Sequence, residues 1–170
     1  MIVHATSVAK RQDGGWRAAL LFGESGSGKS DLALRALEAG WRLVSDDYTV
    51  VWSSGGAVFA KAPEAIQDLV EARGLGLVAA DRLPFAQVRL AATCEPGEIE
   101  RLPEPESLEL SGLSLPHLRL HALEASALFK LNRALSTRPL GGGAGSAYLD
   151  PSRAEPFPAP RAEVTSEGVR

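Results

Sequence analysis

The apolar run Trp16–Phe22 leads into Gly23-Glu24-Ser25-Gly26-Ser27-Gly28-Lys29-Ser30, after which Leu32, Ala33, Ala36 and Leu37 recur at helical spacing. A strand, an unbroken G-x-x-x-x-G-K-S and a helix in that order constrain the fold more than anything else in the chain. Glycines let successive backbone N–H groups turn inward around an anion, because no side chain blocks positive φ. The helix that follows points its positive end at the same place. Lys29 supplies a mobile charge for the outer phosphates of a nucleotide, and Ser30 offers a hydroxyl to Mg²⁺. The bland alternative is a glycine-rich turn that binds nothing. The complete match in its strand–helix context argues against it.

Around this loop the pattern predicts an α/β domain, a central mixed sheet flanked by helices. Ile2–Ala9 and Trp16–Phe22 read as strands joined at Asp13-Gly14-Gly15, and the helix is expected over Ser30–Ala39 with Gly40 as its stop. Arg42–Ser45 reads as a strand that Tyr48–Trp52 continues, and Gly55-Gly56 turns the chain into Ala57–Phe59. Pro63–Val70 is expected to be a short helix, Ala86–Ala92 and Leu113–Leu120 strands, and Ala122–Leu135 a helix. With 170 residues, one core is expected. Residues 1–139 read as the domain, and 140–170, rich in Gly, Pro, Ala and Ser, as a flexible tail. A net charge of −3 without a basic cluster points away from nucleic acid and anionic membranes. Cys94 is the single cysteine, so no internal disulfide can form. Without an apolar run near the roughly 20 residues that span a bilayer, or a secretory leader, the expected location is the cytoplasm.

Asp46-Asp47 ends the strand that follows the first helix, far earlier than most loop proteins of this type place their acidic strand. Neighbouring residues on a strand face opposite ways, so one carboxylate is free to aim at the outer phosphate and the other to orient it. A hydroxyl that accepts a phosphoryl group must lose its proton, and a nearby carboxylate can take it. An acidic turn without a chemical role is the alternative.

Together, His4, the Gly23–Ser30 loop, Leu43-Val44-Ser45-Asp46-Asp47 and Glu71-Ala72-Arg73-Gly74-Leu75-Gly76 resemble the catalytic domain of HPr kinase/phosphorylase over about residues 1–102. The last block is that family's signature, with Ala72 where the family has Ile. The resemblance implies an ATP- and Mg²⁺-dependent serine kinase acting on an HPr-type phosphocarrier protein, which also runs the reverse attack by inorganic phosphate. It implies that Asp47 is the general base, that Gly23, Glu24, Ser25, Gly26, Ser27, Gly28, Lys29 and Ser30 bind ATP, and that Ser30 and Glu71 ligate Mg²⁺. Lys29 and His4 join the catalytic set, and Arg101 matches a family arginine more loosely. A homo-oligomer, a hexamer in the family, is implied as well. Because His4 stands nearly first, the expectation is a short form consisting of the catalytic domain alone.

Other residues leave alternatives open. Arg73 either neutralises a phosphate or pairs with Glu71. His4 on its own reads more readily as a structural histidine than as a catalytic one. His117 and His121 have helical metal-ligand spacing, but the leucines between and around them favour a strand. Cys94 reads as a buried, inert thiol. Where the family has a Pro-rich segment that grips its protein substrate, this chain has Leu115-Pro116-His117-Leu118-Arg119-Leu120-His121, which opens the question of docking. A small-molecule kinase, or a regulator that binds ATP without transferring it, are the competing functions.

Overall fold

The computed structural model describes residues 1–63, 69–72 and 76–136. The N-terminal stretch forms two strands rather than one: β1 (Ile2–His4) and β2 (Thr6–Gln12). The chain changes partners at Ala5, so that β1 pairs with β5 (Tyr48–Ser54) and β2 with β3 (Gly15–Phe22) and β4 (Arg42–Ser45). Tyr48–Ser54 therefore does not prolong β4 but turns away at Asp46-Asp47 to form its own hairpin with β6 (Ala57–Lys61). Between β3 and β4 runs α1 (Lys29–Glu38), which ends at Gly40 (φ +83), as the glycine predicts.

Leu69 and Val70, expected at the end of a helix, lie instead in β7 (Leu69–Ala72), paired with β8 (Gly76–Ala79) in a separate two-stranded sheet. Residues 64–68 of that expected helix, and Arg73, Gly74 and Leu75 of the signature block, fall outside the described residues. The expected tail also lies outside them. Then come β9 (Ala86–Cys94), β10 (Glu106–Leu110), β11 (Leu113–Leu120) and α2 (Ala127–Ser136). The last helix starts later than its apolar pattern suggests, because residues 122–126 form a turn.

The main sheet runs β1-β5-β6-β9-β3-β2-β4, and β9 is its branch point. One edge of β9 pairs with β3 in parallel; the other is shared, with Ala86–Val88 beside β6 and Ala91–Cys94 beside β11. Strands buried on both faces need apolar residues at successive positions, not alternate ones. β3 supplies Ala18-Ala19-Leu20-Leu21, all fully buried. Ala19 and Leu21 join a core with Leu32, Ala33 and Ala36 of α1 and Leu131 and Leu135 of α2. Ala18 and Leu20 face the opposite core, which the sheet closes by curling onto itself through Val44, Val51, Val58 and Ala60. Both described helices thus cover one face. Each fully buried leucine contributes about 2 kcal/mol by this burial.

Candidate active site

The loop is forced at its two ends. Gly23 has φ +136, and a Cβ there would fall 2.7 Å from Ser27 Oγ and still closer to the Cys94 carbonyl oxygen. Backbone and neighbouring strand end leave no room for any other residue. Gly28 caps α1 in a left-handed conformation, φ +93, without a side-chain hydrogen bond to the helix N-terminus. The N-cap position therefore gives the first-turn N–H groups of α1 no side-chain partner, and this helix end lies on the cleft described below.

Within the loop, Lys29 is 6% exposed and its ammonium donates to the carbonyls of Gly23 at 2.8 Å and Glu24 at 2.9 Å. Ser27 is 7% exposed, and its hydroxyl has no hydrogen-bond partner among the described residues. A buried hydroxyl left unmatched costs about 1–3 kcal/mol unless something satisfies it. An uncapped helix end, an orphaned hydroxyl and a cradle closed to any Cβ together suit a bound phosphate. Directly beneath, burial pushes the Cys94 thiol up to about 11, against a smaller lowering by Lys29. Cys94 is a protonated filler, in line with its reading from sequence.

Facing the loop across a cleft of ≈ 470 Å³ is the turn between β4 and β5. Asp46 and Asp47 lie beyond the last residue of β4, so their division of roles comes from the turn and not from strand alternation. The Asp46 carboxylate accepts from the Thr6 hydroxyl at 3.0 Å and from the Asp47 backbone N–H at 3.1 Å. Ser45 Oγ donates to the Tyr48 carbonyl across the same turn. Asp47 takes a left-handed conformation, φ +58, which aspartate tolerates better than most residues. Its side chain is exposed on the cleft wall. One carboxylate holds the turn and the other is presented.

The structure brings together most of the sequence-derived set. His4, Ser25, Gly26, Gly28, Lys29, Ser30 and Asp47 all line this cleft. His4 arrives through the β1–β5 pairing, opposite Tyr48 in register, with the two rings 5.4 Å apart. Arg101 is not among the lining residues; it sits exposed in the connection between β9 and β10. Glu71 lies on β7, opposite Leu77, in a strand that runs close to α1; its side chain is outside the described residues. Oxygen donors at Ser30, Asp46 and Asp47 suit a hard cation such as Mg²⁺.

Sequence reasoning passed over several residues of this site. Thr6 gave no signal, because a lone threonine in a strand has no motif. Leu123 lines the cleft from the turn before α2, where the helical pattern hid it. Arg35 belongs to no motif either; it pairs with Asp31 at i,i+4 spacing, 2.7 Å apart. His117 stands on β11 as expected, bonded to Thr93 Oγ1 and to Glu106, both at 2.8 Å. Hydrogen bonds from Arg119, and then from His117, hold the Glu106 carboxyl below its usual range. The segment Leu115–Leu120 is therefore built into the sheet.

Comparison with known proteins places these observations. Residues 17–93 match the family model of the HPr serine kinase C-terminal domain, a span that holds the loop, both aspartates and Glu71 but neither His4 nor Arg101. An HPr kinase/phosphorylase from Mycoplasmopsis pulmonis is 46% identical over 59 residues, 35% of this chain and 19% of that protein. One from Xanthomonas campestris pv. campestris is 48% identical over 60 residues, with the same shares. The chain thus aligns with about a fifth of the length of these curated relatives. Among solved structures, the Hpr(Ser) kinase/phosphatase from Coxiella burnetii superposes with a TM-score of 0.61 at 19% identity. That likeness covers 78% of this chain and 90% of the other, and it supports the fold expected from sequence.

Proposed function

We propose, from the match of residues 17–93 to the family model of the HPr serine kinase C-terminal domain, that this chain transfers the γ-phosphoryl group of ATP to a serine of an HPr-type phosphocarrier protein. The observation that carries this reading is one cleft shared by Lys29, Ser30 and a presented Asp47. The names of the relatives supply the partner.

In the proposed reaction the Gly23–Ser30 backbone and the α1 N-terminus hold the phosphates. Lys29 leaves the Gly23 and Glu24 carbonyls to neutralise the outer phosphate. Ser30 and Glu71 would hold Mg²⁺, which would supply charge neutralisation. Asp47 accepts the seryl proton as the oxygen attacks, and Asp46 fixes the backbone from which Asp47 reaches out. His4 orients Asp47 or bonds the transferred group. In the reverse direction the protonated Asp47 returns its proton to the seryl oxygen while inorganic phosphate takes the phosphoryl group. Arg101 receives no role inside the cleft.

The proposal extends to a catalytic unit over residues 1–139, a cytoplasmic location and a homo-oligomer. No described helix is long and apolar enough to cross a membrane. The test is the intact mass of an HPr-type protein after incubation with this chain, ATP and Mg²⁺. One added phosphate on serine, absent with Asp47→Asn, is expected. ATP binding without transfer, unchanged by Asp47→Asn, would replace the kinase with an ATP-dependent regulator.

A further inference from the structure

The turn between β11 and α2 belongs to no nucleotide motif, yet it is fastened to the cleft at two points. Leu123 lies against the loop: a Cβ on Gly28 would come within 2.9 Å of Leu123 Cδ2 and 3.1 Å of Ala122 Cβ. The carbonyls on either side of Leu123 are held by one guanidinium. Arg35 Nη1 donates to the Glu124 carbonyl at 3.1 Å, and Arg35 Nη2 donates to that of Ala122. Arg35 is in turn paired with Asp31, itself on the cleft wall. Ala122 is fully buried, while Leu123 stays 59% exposed.

An exposed leucine needs no explanation when its chain is free to move. This one is mounted. Ordering an arginine side chain against two carbonyls has an entropic cost, and it fixes an apolar surface beside the helix N-terminus that folding does not bury. Phosphates gain nothing from such a surface, whereas the face of a base or the carbon edge of a ribose does.

We propose that Leu123 is the nucleoside-positioning residue of this cleft: with the phosphates in the loop, the base or ribose lies on its side chain, and Arg35 sets its position. The inference rests on the nucleotide reading above and adds a residue and a subsite to it. It commits to the nucleoside part of the ligand, with the protein substrate as the competing occupant.

The test compares ATP with inorganic triphosphate, both with Mg²⁺, by calorimetric titration of the full chain. Leu123→Ala is expected to weaken ATP about tenfold, the effect of losing roughly half a leucine's covered surface. Triphosphate affinity should stay within about twofold, since that ligand has nothing to lay on Leu123. Leu123→Met should restore most of the ATP affinity, and Arg35→Met should weaken ATP in the same direction by about threefold. Phe129→Ala, at a still more exposed apolar position on α2 outside the cleft lining, should change neither ligand. An equal loss of both ligands with Leu123→Ala would overturn the inference by making the residue a prop for the loop. Unchanged ATP affinity with a raised KM for the phosphocarrier would overturn it in favour of the protein substrate. An unsubstituted chain that binds neither ligand would bring down the nucleotide reading itself, a result distinct from both.

Discussion

The two walls of the cleft are made in different ways. The loop wall is specified by backbone shape: Gly23 is pressed onto the Cys94 carbonyl, Gly28 is left-handed under Leu123, and Lys29 is almost wholly buried. The aspartate wall is specified by side-chain identity, in an exposed turn pinned by the Thr6 hydroxyl and the Asp47 backbone N–H. A site that must both grip and react benefits from the separation. Holding an anion needs a fixed array of N–H groups, whereas moving a proton needs one carboxylate that solvent and substrate can reach. Damage on the two walls should therefore look different.

Gly23→Ala attacks the shape directly and should have the largest effect. With φ +136 and backbone in the way, we expect a loss of about 3 kcal/mol or more in urea unfolding, together with loss of ATP binding. Normal stability would mean that the loop relaxes and the wall is softer than it looks. Asp47→Asn changes identity without shape. Transfer to the phosphocarrier should fall by about 100-fold or more, while melting temperature and ATP affinity hold. A parallel fall in ATP affinity would erase the contrast between the walls.

Thr6→Val tests the pin. Thr6 is fully buried, and its hydroxyl donates to Asp46, so about 1–2 kcal/mol of stability should go, with a several-fold loss of transfer and intact ATP binding. Transfer unchanged would show that Asp47 needs no such support. The last effect is silent at neutral pH and shows only in alkali. Burial raises the folded Cys94 thiol to about 11 from 9.0, so the unfolded chain loses this proton first as pH rises. Its contribution is whole below pH 9 and falls away toward pH 11. Cys94→Ala should flatten that alkaline limb of the stability curve; an unchanged slope would show that another group sets it.

The same contrast explains what could be read from the sequence. The loop wall was legible because its geometry admits few residues: glycines at 23, 26 and 28 announce the conformation, and the flanking apolar runs announce strand and helix. Asp47 was legible by its chemistry and its place after β4. Its mounting was not, because the turn depends on Thr6 from another strand, 40 positions away in sequence. The break of the first strand at Ala5 was hidden for the same reason, since either partner strand accepts the same apolar pattern. Extending the last helix back to Ala122 failed because Ala122 and Leu123 continue a helical spacing while their backbone closes a turn against Gly28.

The two carbonyls that hold Lys29 have a consequence for turnover. An ammonium this deep cannot be left bare between one ligand and the next, because an uncompensated buried charge costs about 3–5 kcal/mol. On the proposed function Gly23 and Glu24 are placeholders: their oxygens hold the lysine, a phosphate would displace them, and they would reclaim it when the spent nucleotide departs. Occupancy is thus an exchange of partners for one cation, and the affinity reflects only the difference between them. A loop built this way captures its ligand and lets it go with the same lysine, which suits a catalyst that has to reset more than a receptor that has to hold.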